Sequence, residues 1–493
     1  MIQIGNAVLK KQTQFWNHAL FHPTDAVEDP WGKRILDRMA ADGAIHTIRI
    51  YAMFEDIVYY DEYGKLCYDF RVSDLRLDYL IEKGYRLLIA YAGMPDCIAS
   101  STTSKGNFAK NKTRYKGKMW NSAPPKDYAL WEEICYEYTR HNVERYGIET
   151  VSQWHCQCFN EPDIPFLLTE LPDDSEHSMN HRLPVYCQMY AAFERAVRRV
   201  SDRIPIGGPA LARQLDFLGA WLDFVTENHL KLDFISVHNY GVKVQELQAG
   251  VRPSVQHNIN HHQRYVDTVT AHGYGHLPIL VDEWGFSTHG FFNYEECPAL
   301  FGRETEMFSA YFAKLIYAFI EHNYNVDMLC ICLSGQHEMT EDFSGFRNFF
   351  TLNFIAKPIY NAYILASKLK DNLLSARTDN QNLFVVPTQN AAGDYAVMLS
   401  YSSEHFDDDL PTIEETVQFD GDITGKTVTV WCIDRNHTNP YRLYEKMGIQ
   451  TPNTEEIRIL QEEGRIKPLF TCKGGEEIRL SLSSNAVYLI AVE

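Results

Sequence analysis

The sequence predicts an α/β fold: a (β/α)8 TIM barrel followed by a C-terminal all-β sandwich. Three observations carry that expectation. At 493 residues the chain is long enough for two domains, at roughly 150 residues per domain. From about residue 28 to residue 370, short apolar, β-branched runs alternate with longer stretches of helical period, the pattern of βα units on a parallel sheet. After about Leu374 the long helical stretches stop, and short strand-like runs follow one another between turn signals.

In chain order, barrel strands are expected at 46–52, 86–92, 153–160, 204–208, 234–239, 278–283 and 326–333. An earlier short strand near 15–20 makes eight. Helices are expected at 127–146, 184–200, 215–230, 256–271 and 304–322. Right-handed βα crossovers repeated eight times close into a barrel. Runs at 382–387, 395–401, 427–433 and 485–492 build the second domain, most simply a sandwich, with one helical insertion at 454–463. The barrel is thus expected over 15–372 and the sandwich over 373–493. Residues 97–125 are the least regular stretch, rich in Ser, Thr, Asn and Lys, with Lys105, Lys110, Lys112, Arg114, Lys116 and Lys118. They read either as a solvated loop or as a wall over the substrate.

Composition narrows the function classes. Hydrophobic residues at 45% and charged residues at 23% are the ordinary globular mix, which excludes a disordered, collagen-like or disulfide-framework chain. A net charge of −19 repels phosphate backbones and anionic membranes, so nucleic acid is not the expected partner. No run approaches the roughly 18 uninterrupted apolar residues of a membrane-spanning helix. Residues 1–11 lack the basic start, apolar block and small-residue cleavage site of a secretory signal, and a cytoplasmic protein is expected. The eleven cysteines, an odd number partly set in apolar runs, read as reduced thiols. Cys156-Gln157-Cys158 and Cys330-Ile331-Cys332 read as pairs of small apolar side chains facing one way, in preference to a four-thiolate metal site.

In a barrel the βα loops at the strands' C-terminal ends build the site. Two ends stand out. The strand at 153–160 runs into Asn160-Glu161-Pro162, and the strand at 278–283 ends in Asp282-Glu283-Trp284-Gly285, so each presents a glutamate at the rim. Two facing carboxyls are what glycoside cleavage needs: one protonates the leaving oxygen while the other meets the oxocarbenium-like centre. Alternation lets only one of Asp282 and Glu283 face the lumen; the longer Glu283 is the expected nucleophile, with Asp282 turned to the helical layer. The turn at Pro162 breaks alternation, so both Asn160 and Glu161 can reach the site.

The N-E-P triplet ending the fourth strand and the D-E-W ending the seventh resemble the acid/base and nucleophile signatures of retaining glycosidases built on (β/α)8 barrels. Within that clan the chain resembles glycoside hydrolase family 39, whose best-known members are β-xylosidases. Further matching stretches include Ile48-Arg49-Ile50-Tyr51 with Asp56 after it, Met94-Pro95, Gly207-Gly208-Pro209-Ala210, the run from Asp233 to Tyr240, Lys357-Pro358-Ile359-Tyr360-Asn361-Ala362 and the run from Ile433 to Pro440. The resemblance spans nearly the whole chain. It implies that a strand within 1–14 adds to the sandwich, and that no metal or organic cofactor takes part. By position it makes Glu161 the acid/base and Glu283 the nucleophile. It also places Asn160 on the sugar 2-hydroxyl, His238 and Tyr240 beside the catalytic pair, Arg49 on a carboxylate, and Tyr51, Phe159, Trp284 and Glu338 near the substrate.

The departures bear on substrate choice. Tyr51 stands where family xylosidases usually have histidine, Phe159 stands where they have tryptophan before N-E-P, and Ile331 falls at their eighth-strand tryptophan. Replacing tryptophan by isoleucine removes a flat platform for a sugar ring. The expected activity is retaining, exo-acting β-xylosidase action on short plant-derived oligosaccharides. The same chemistry on an arabinoside, glucoside, galactoside or uronide stays open, as do an inactive carbohydrate-binding barrel and assembly into a homo-oligomer.

Overall fold

The computed structural model describes residues 1–21, 24–106, 120–288, 290, 292–334 and 339–493. Eight strands close a barrel in sequence order: β1 (His18–Phe21), β2 (Thr47–Tyr51), β3 (Arg86–Tyr91), β4 (His155–Cys158), β5 (Ile206–Leu211), β6 (Phe234–Val242), β7 (Ile279–Ser287) and β8 (Val326–Leu333). Every neighbouring pair is parallel. Alternation sorts the side chains of each strand. Leu88, Phe234, Leu280, Met328 and Cys330 form a small cluster of their own inside the barrel, while Leu87, Ile89, Ile235, Val281, Leu329 and Ile331 join the larger core under the helices.

The helices bury one stripe each. In Leu183–Val200 the residues Tyr186, Met189, Tyr190, Phe193, Ala196 and Val197 recur at three- and four-residue spacing and are all buried. Tyr128–Tyr146 starts where the Asp127 carboxylate accepts the Ala129 N–H and stops at Gly147, whose φ of 79° favours a residue without a Cβ. Glu306–Glu321 starts two residues later than expected, because Pro298–Glu304 forms a 3-10 turn and Thr305 caps the helix.

The second domain is one nine-stranded sheet folded over its own core. Its strands are the N-terminal Ile2–Lys11 and β9 (Asn372–Arg377), β10 (Leu383–Gln389), β11 (Tyr395–Tyr401), β12 (Ile413–Phe419), β13 (Thr427–Ile433), β14 (Pro468–Lys473), β15 (Ile478–Leu482) and β16 (Ala486–Val492). They run in the order β14-β13-β16-β11-β10-β9, the N-terminal strand, β12 and β15. The N-terminal strand is antiparallel to β9 and parallel to β12. Ile2, Ile4, Val397, Val417, Val430, Leu480 and Ile490 meet in one cluster, so the two ends of the sheet face each other. The opposite face, with Val386, Met398 and Leu489, packs into the barrel's core. Glu306 fastens the junction by accepting from Asn439 at 2.7 Å and Arg442 at 3.1 Å. Among the described residues no helix is long and apolar enough to cross a membrane. The eleven cysteines are free, eight of them buried.

Candidate active site

The polar residues gather at the C-terminal ends of β2, β4, β6 and β7. On β4, alternation turns Cys156 and Cys158 into the helical layer and Gln157 inward. Past the strand the backbone turns left-handed at Phe159 (φ 62°) and again at Glu161 (φ 46°). Each such residue costs of order ~1–3 kcal/mol and persists only where its surroundings fix it. Here the Phe159 N–H donates to the Tyr91 carbonyl at 3.1 Å and the Glu161 N–H to that of Ala210 at 3.0 Å. Behind them Asp163 accepts from the N–H groups of Ala212, Arg213 and Gln214. The turn therefore presents both the Asn160 amide and the Glu161 carboxyl inward, as expected from the break in alternation.

On β7 the expectation for Asp282 is overturned. Its carboxylate is buried inside the barrel, 3.0 Å from Arg49 Nη2, and accepts from Gln157 Nε2 at 2.9 Å. The cause is a register shift: Val237 pairs with Val281 but His238 pairs with Glu283, which leaves Asp282 as an extra residue on β7. Such a bulge lets two consecutive side chains face one way. Trp284 then falls on the outer face, and its placement near the substrate is corrected: its indole N–H donates to the Tyr363 hydroxyl at 3.2 Å and its ring stacks on Phe312. Ile331 is also corrected, since alternation puts it in the outer core and Cys332 inward beside Glu283 and Tyr240. Phe159 is fully buried in that core and offers no accessible face to a sugar. Glu338 lies outside the described residues, as does the basic stretch from Lys110 to Lys118.

The remaining expected residues converge. Arg49 Nη1 donates to Glu283 Oε1 at 2.7 Å and Nη2 to Asn160 Oδ1 at 2.7 Å. The Tyr240 hydroxyl donates to Glu283 Oε2 at 2.7 Å. His238 Nδ1 lies 2.8 Å from Glu161 Oε1, and Nε2 lies 3.6 Å from Glu283 Oε1. Tyr51 lies against the Arg49 guanidinium, 5.5 Å from its ring centroid. One oxygen of Glu161, one of Glu283 and one His238 nitrogen are all within 4.8 Å of one another. The two glutamate side chains keep 18% and 10% of their exposure, and Tyr240 is also only partly buried, so solvent or a substrate can reach this part of the network. Sequence reasoning missed Arg347, whose guanidinium lies 4.9 Å from the Tyr240 ring centroid and whose Nε donates to Ser334. Its signal was absent because it comes from a loop, beyond any strand end.

The surroundings drive the two carboxyls apart. Burial pushes Glu161 above the usual carboxylate range, and the neighbouring His238 only partly opposes it. Burial acts on Glu283 in the same direction, but there His238, Arg49, the Tyr240 hydroxyl and Arg347 outweigh it and hold the group low. His238 is pushed up to about 10: burial disfavours its charge, yet Glu283, Asp282 and Glu161 more than compensate. Burial thus biases one carboxyl toward its protonated form while the surrounding cations and hydroxyl bias its neighbour toward the ionised form, the direction of division that acid and nucleophile require. The same three side chains have the donor types and spacing to hold a cation, as do Cys432, Asp434 and His437 in the sandwich. In the first group Arg49 already supplies positive charge to Glu283. In the second, Asp434 Oδ1 is occupied by the N–H groups of Asn436 and His437 and by the His437 ring.

Known proteins share this framework. A β-xylosidase of Caldicellulosiruptor saccharolyticus is 26% identical over 483 residues, covering 93% of this chain and 90% of its own. A β-xylosidase of Geobacillus stearothermophilus is 23% identical over 451 residues, covering 86% of this chain and 81% of its own. The crystal structure of a monomeric β-xylosidase from Caulobacter crescentus CB15 superposes with a TM-score of 0.82 at 19% identity, covering 100% of this chain and 99% of that one, which supports the fold. Residues 2–469 match the family model described as Glycosyl hydrolases family 39. With that match over nearly its whole length, the chain belongs to glycosyl hydrolase family 39 and is a glycoside hydrolase.

Proposed function

We propose that the protein is a retaining, exo-acting β-xylosidase of short oligosaccharides, with Glu283 as nucleophile and Glu161 as acid/base. The observation that carries this reading is the approach of the two carboxyls to within 4.8 Å. Retaining enzymes hold the pair about 5–5.5 Å apart, whereas inverting ones need roughly 6.5–9.5 Å to admit a water. Glu283 attacks the anomeric carbon with its oxygens oriented by Arg49 and Tyr240. Glu161, whose burial favours its protonated form, gives its proton to the leaving oxygen. The resulting carboxylate then takes a proton from the water that cleaves the ester. Asn160 spends its carbonyl oxygen on Arg49, which leaves its NH2 group to donate to a sugar 2-hydroxyl.

Xylose as the glycone draws its support from the two β-xylosidases that resemble the chain. A second reading keeps the chemistry and changes the glycone to a uronide; Arg347, a cation beside Tyr240, favours it. The free thiols fit a reducing, cytoplasmic setting. The test is a panel of aryl β-glycosides followed by NMR of the first-formed sugar. Turnover of the xyloside with the β-anomer released first supports the proposal; α-anomer first, or no turnover of any glycoside, contradicts it. Glu161→Ala should lose about 10²–10⁴-fold on an alkyl glycoside and far less on a dinitrophenyl glycoside, whose leaving group needs no acid.

A further inference from the structure

In the double displacement proposed above, on which this inference rests, the two glutamates carry one negative charge between them and the charge changes owner. When Glu283 bonds to the anomeric carbon, the electron pair of the broken glycosidic bond goes to the leaving oxygen, which takes the Glu161 proton. Glu283 becomes a neutral ester and Glu161 a carboxylate. In the second step water gives a proton to Glu161, its oxygen bonds to the anomeric carbon, and the ester oxygen leaves as the Glu283 carboxylate. A cation fixed on one glutamate would favour one half of this cycle and oppose the other.

Arg49 reaches Glu283 and Asp282. Among the described residues, His238 is the basic side chain placed within 4.0 Å of both glutamates, through Nδ1 to Glu161 and Nε2 to Glu283. Its remaining charged neighbour is Asp282, whose Oδ1 lies 3.7 Å from Nε2. Both of those atoms are buried without a hydrogen-bond partner, so the contact has room to close when Glu283 loses its charge. The other groups against it are uncharged: the Tyr240 ring on the same strand, and the Tyr265 hydroxyl, which donates to the His238 carbonyl from the helix Val255–Ala271. Neither supplies or removes a proton from the ring.

We propose that His238 is a positioning residue that keeps both ring protons through the whole cycle, a stationary imidazolium neutralising whichever glutamate is ionised, with Asp282 holding it charged while Glu283 is esterified. The function of the bulge follows: it turns Asp282 inward beside Glu283, so that a second carboxyl group stands next to one whose charge comes and goes.

Nitrogen-15 NMR of histidine-labelled enzyme reads the charge directly, with the His238 signals assigned by their loss in His238→Gln. Both nitrogens should show imidazolium shifts at pH 8, in the free enzyme and after Glu283 is esterified with a 2-deoxy-2-fluoro glycoside. A neutral-ring shift in either state overturns the proposal. The free-enzyme spectrum needs no turnover, so it stands even if the glycosidase reading fails. Kinetics supply the second readout, with His238→Asn used if the Gln variant does not fold by circular dichroism. Removing a cation raises both carboxyls, so both limbs of the kcat/KM profile on an aryl glycoside should move up by about one pH unit. A uniform loss of activity with unmoved limbs would mark a structural role alone and overturn the proposal.

Discussion

The two mouths of the barrel both hold histidines, and they treat them oppositely. At the C-terminal mouth His238 is pushed up to about 10, because three carboxyls outweigh its burial. At the N-terminal mouth burial pushes His18 down to about 3 and His155 to about 4, and Arg86 adds repulsion at both. The side-chain type is shared, and it is the fully buried His238, not the half-buried His18 and His155, that keeps its charge, so the difference lies in what stands opposite. Where carboxyls are gathered they sustain the charge against burial; where they are not, burial removes it. The mouth that keeps its charges is the one that also bends its strands, through the left-handed turn after β4 and the bulge in β7.

Removing what sustains charge at the C-terminal mouth should make it behave like the N-terminal one. The largest effect is expected from Arg49→Met, which strips Asp282 and Glu283 of the guanidinium that pairs with both. Breaking a buried ion pair costs about 3–5 kcal/mol, so denaturant titration should show a loss of that size, together with loss of turnover. Unchanged stability would mean that Arg49 is not what neutralises this mouth. Next comes Tyr240→Phe, which deletes the hydrogen bond to Glu283 Oε2. A bond to a charged group is worth about 1.5–3 kcal/mol, so kcat/KM should fall about 10- to 100-fold. Because that bond lowers the Glu283 pKa, the acid limb of the profile should rise with its loss.

The smallest effect sharpens the other side. His155 titrates near 4 when folded and near 6.5 when unfolded, so its neutral form contributes stability above pH 6.5 that is lost as pH falls through 4. His238 has the opposite sign: its contribution is complete below pH 6.5 and lost as pH rises through about 10. His155→Gln should therefore move the acid unfolding midpoint down by a few tenths of a pH unit, while kcat/KM stays within a factor of about two. A large loss of activity would deny that the two mouths are independent.

The barrel strands were legible because each is an apolar run bounded by polar turns. β6 and β7 run on past their expected ends, since the polar stretch from His238 to Val242 still pairs with Glu283 to Ser287. Composition marks such residues as loop although backbone pairing carries them as strand. In the second domain β10, β11, β13 and β16 were legible from their apolar runs. β12 and β14 expose much of their length, and sequences such as Ile413-Glu414-Glu415-Thr416 give little apolar signal. Glu161, Glu283, Asn160, Arg49, His238 and Tyr240 were singled out by strand-end position and family likeness, and the fold brings them together. Asp282, Trp284 and Ile331 were misplaced because alternation was counted without the bulge or the true phase of β8, and a register shift is a property of two paired strands that neither one displays alone.

Double displacement requires that Glu283 form a covalent bond to the sugar. Incubation with a dinitrophenyl 2-deoxy-2-fluoro-β-xyloside, followed by intact-mass and peptide mass spectrometry, tests this directly. One sugar per chain, carried on Glu283 and turned over on addition of an acceptor, is the predicted result. An unlabelled protein that still hydrolyses xylosides, or a label on Glu161 or Asp282, would contradict it.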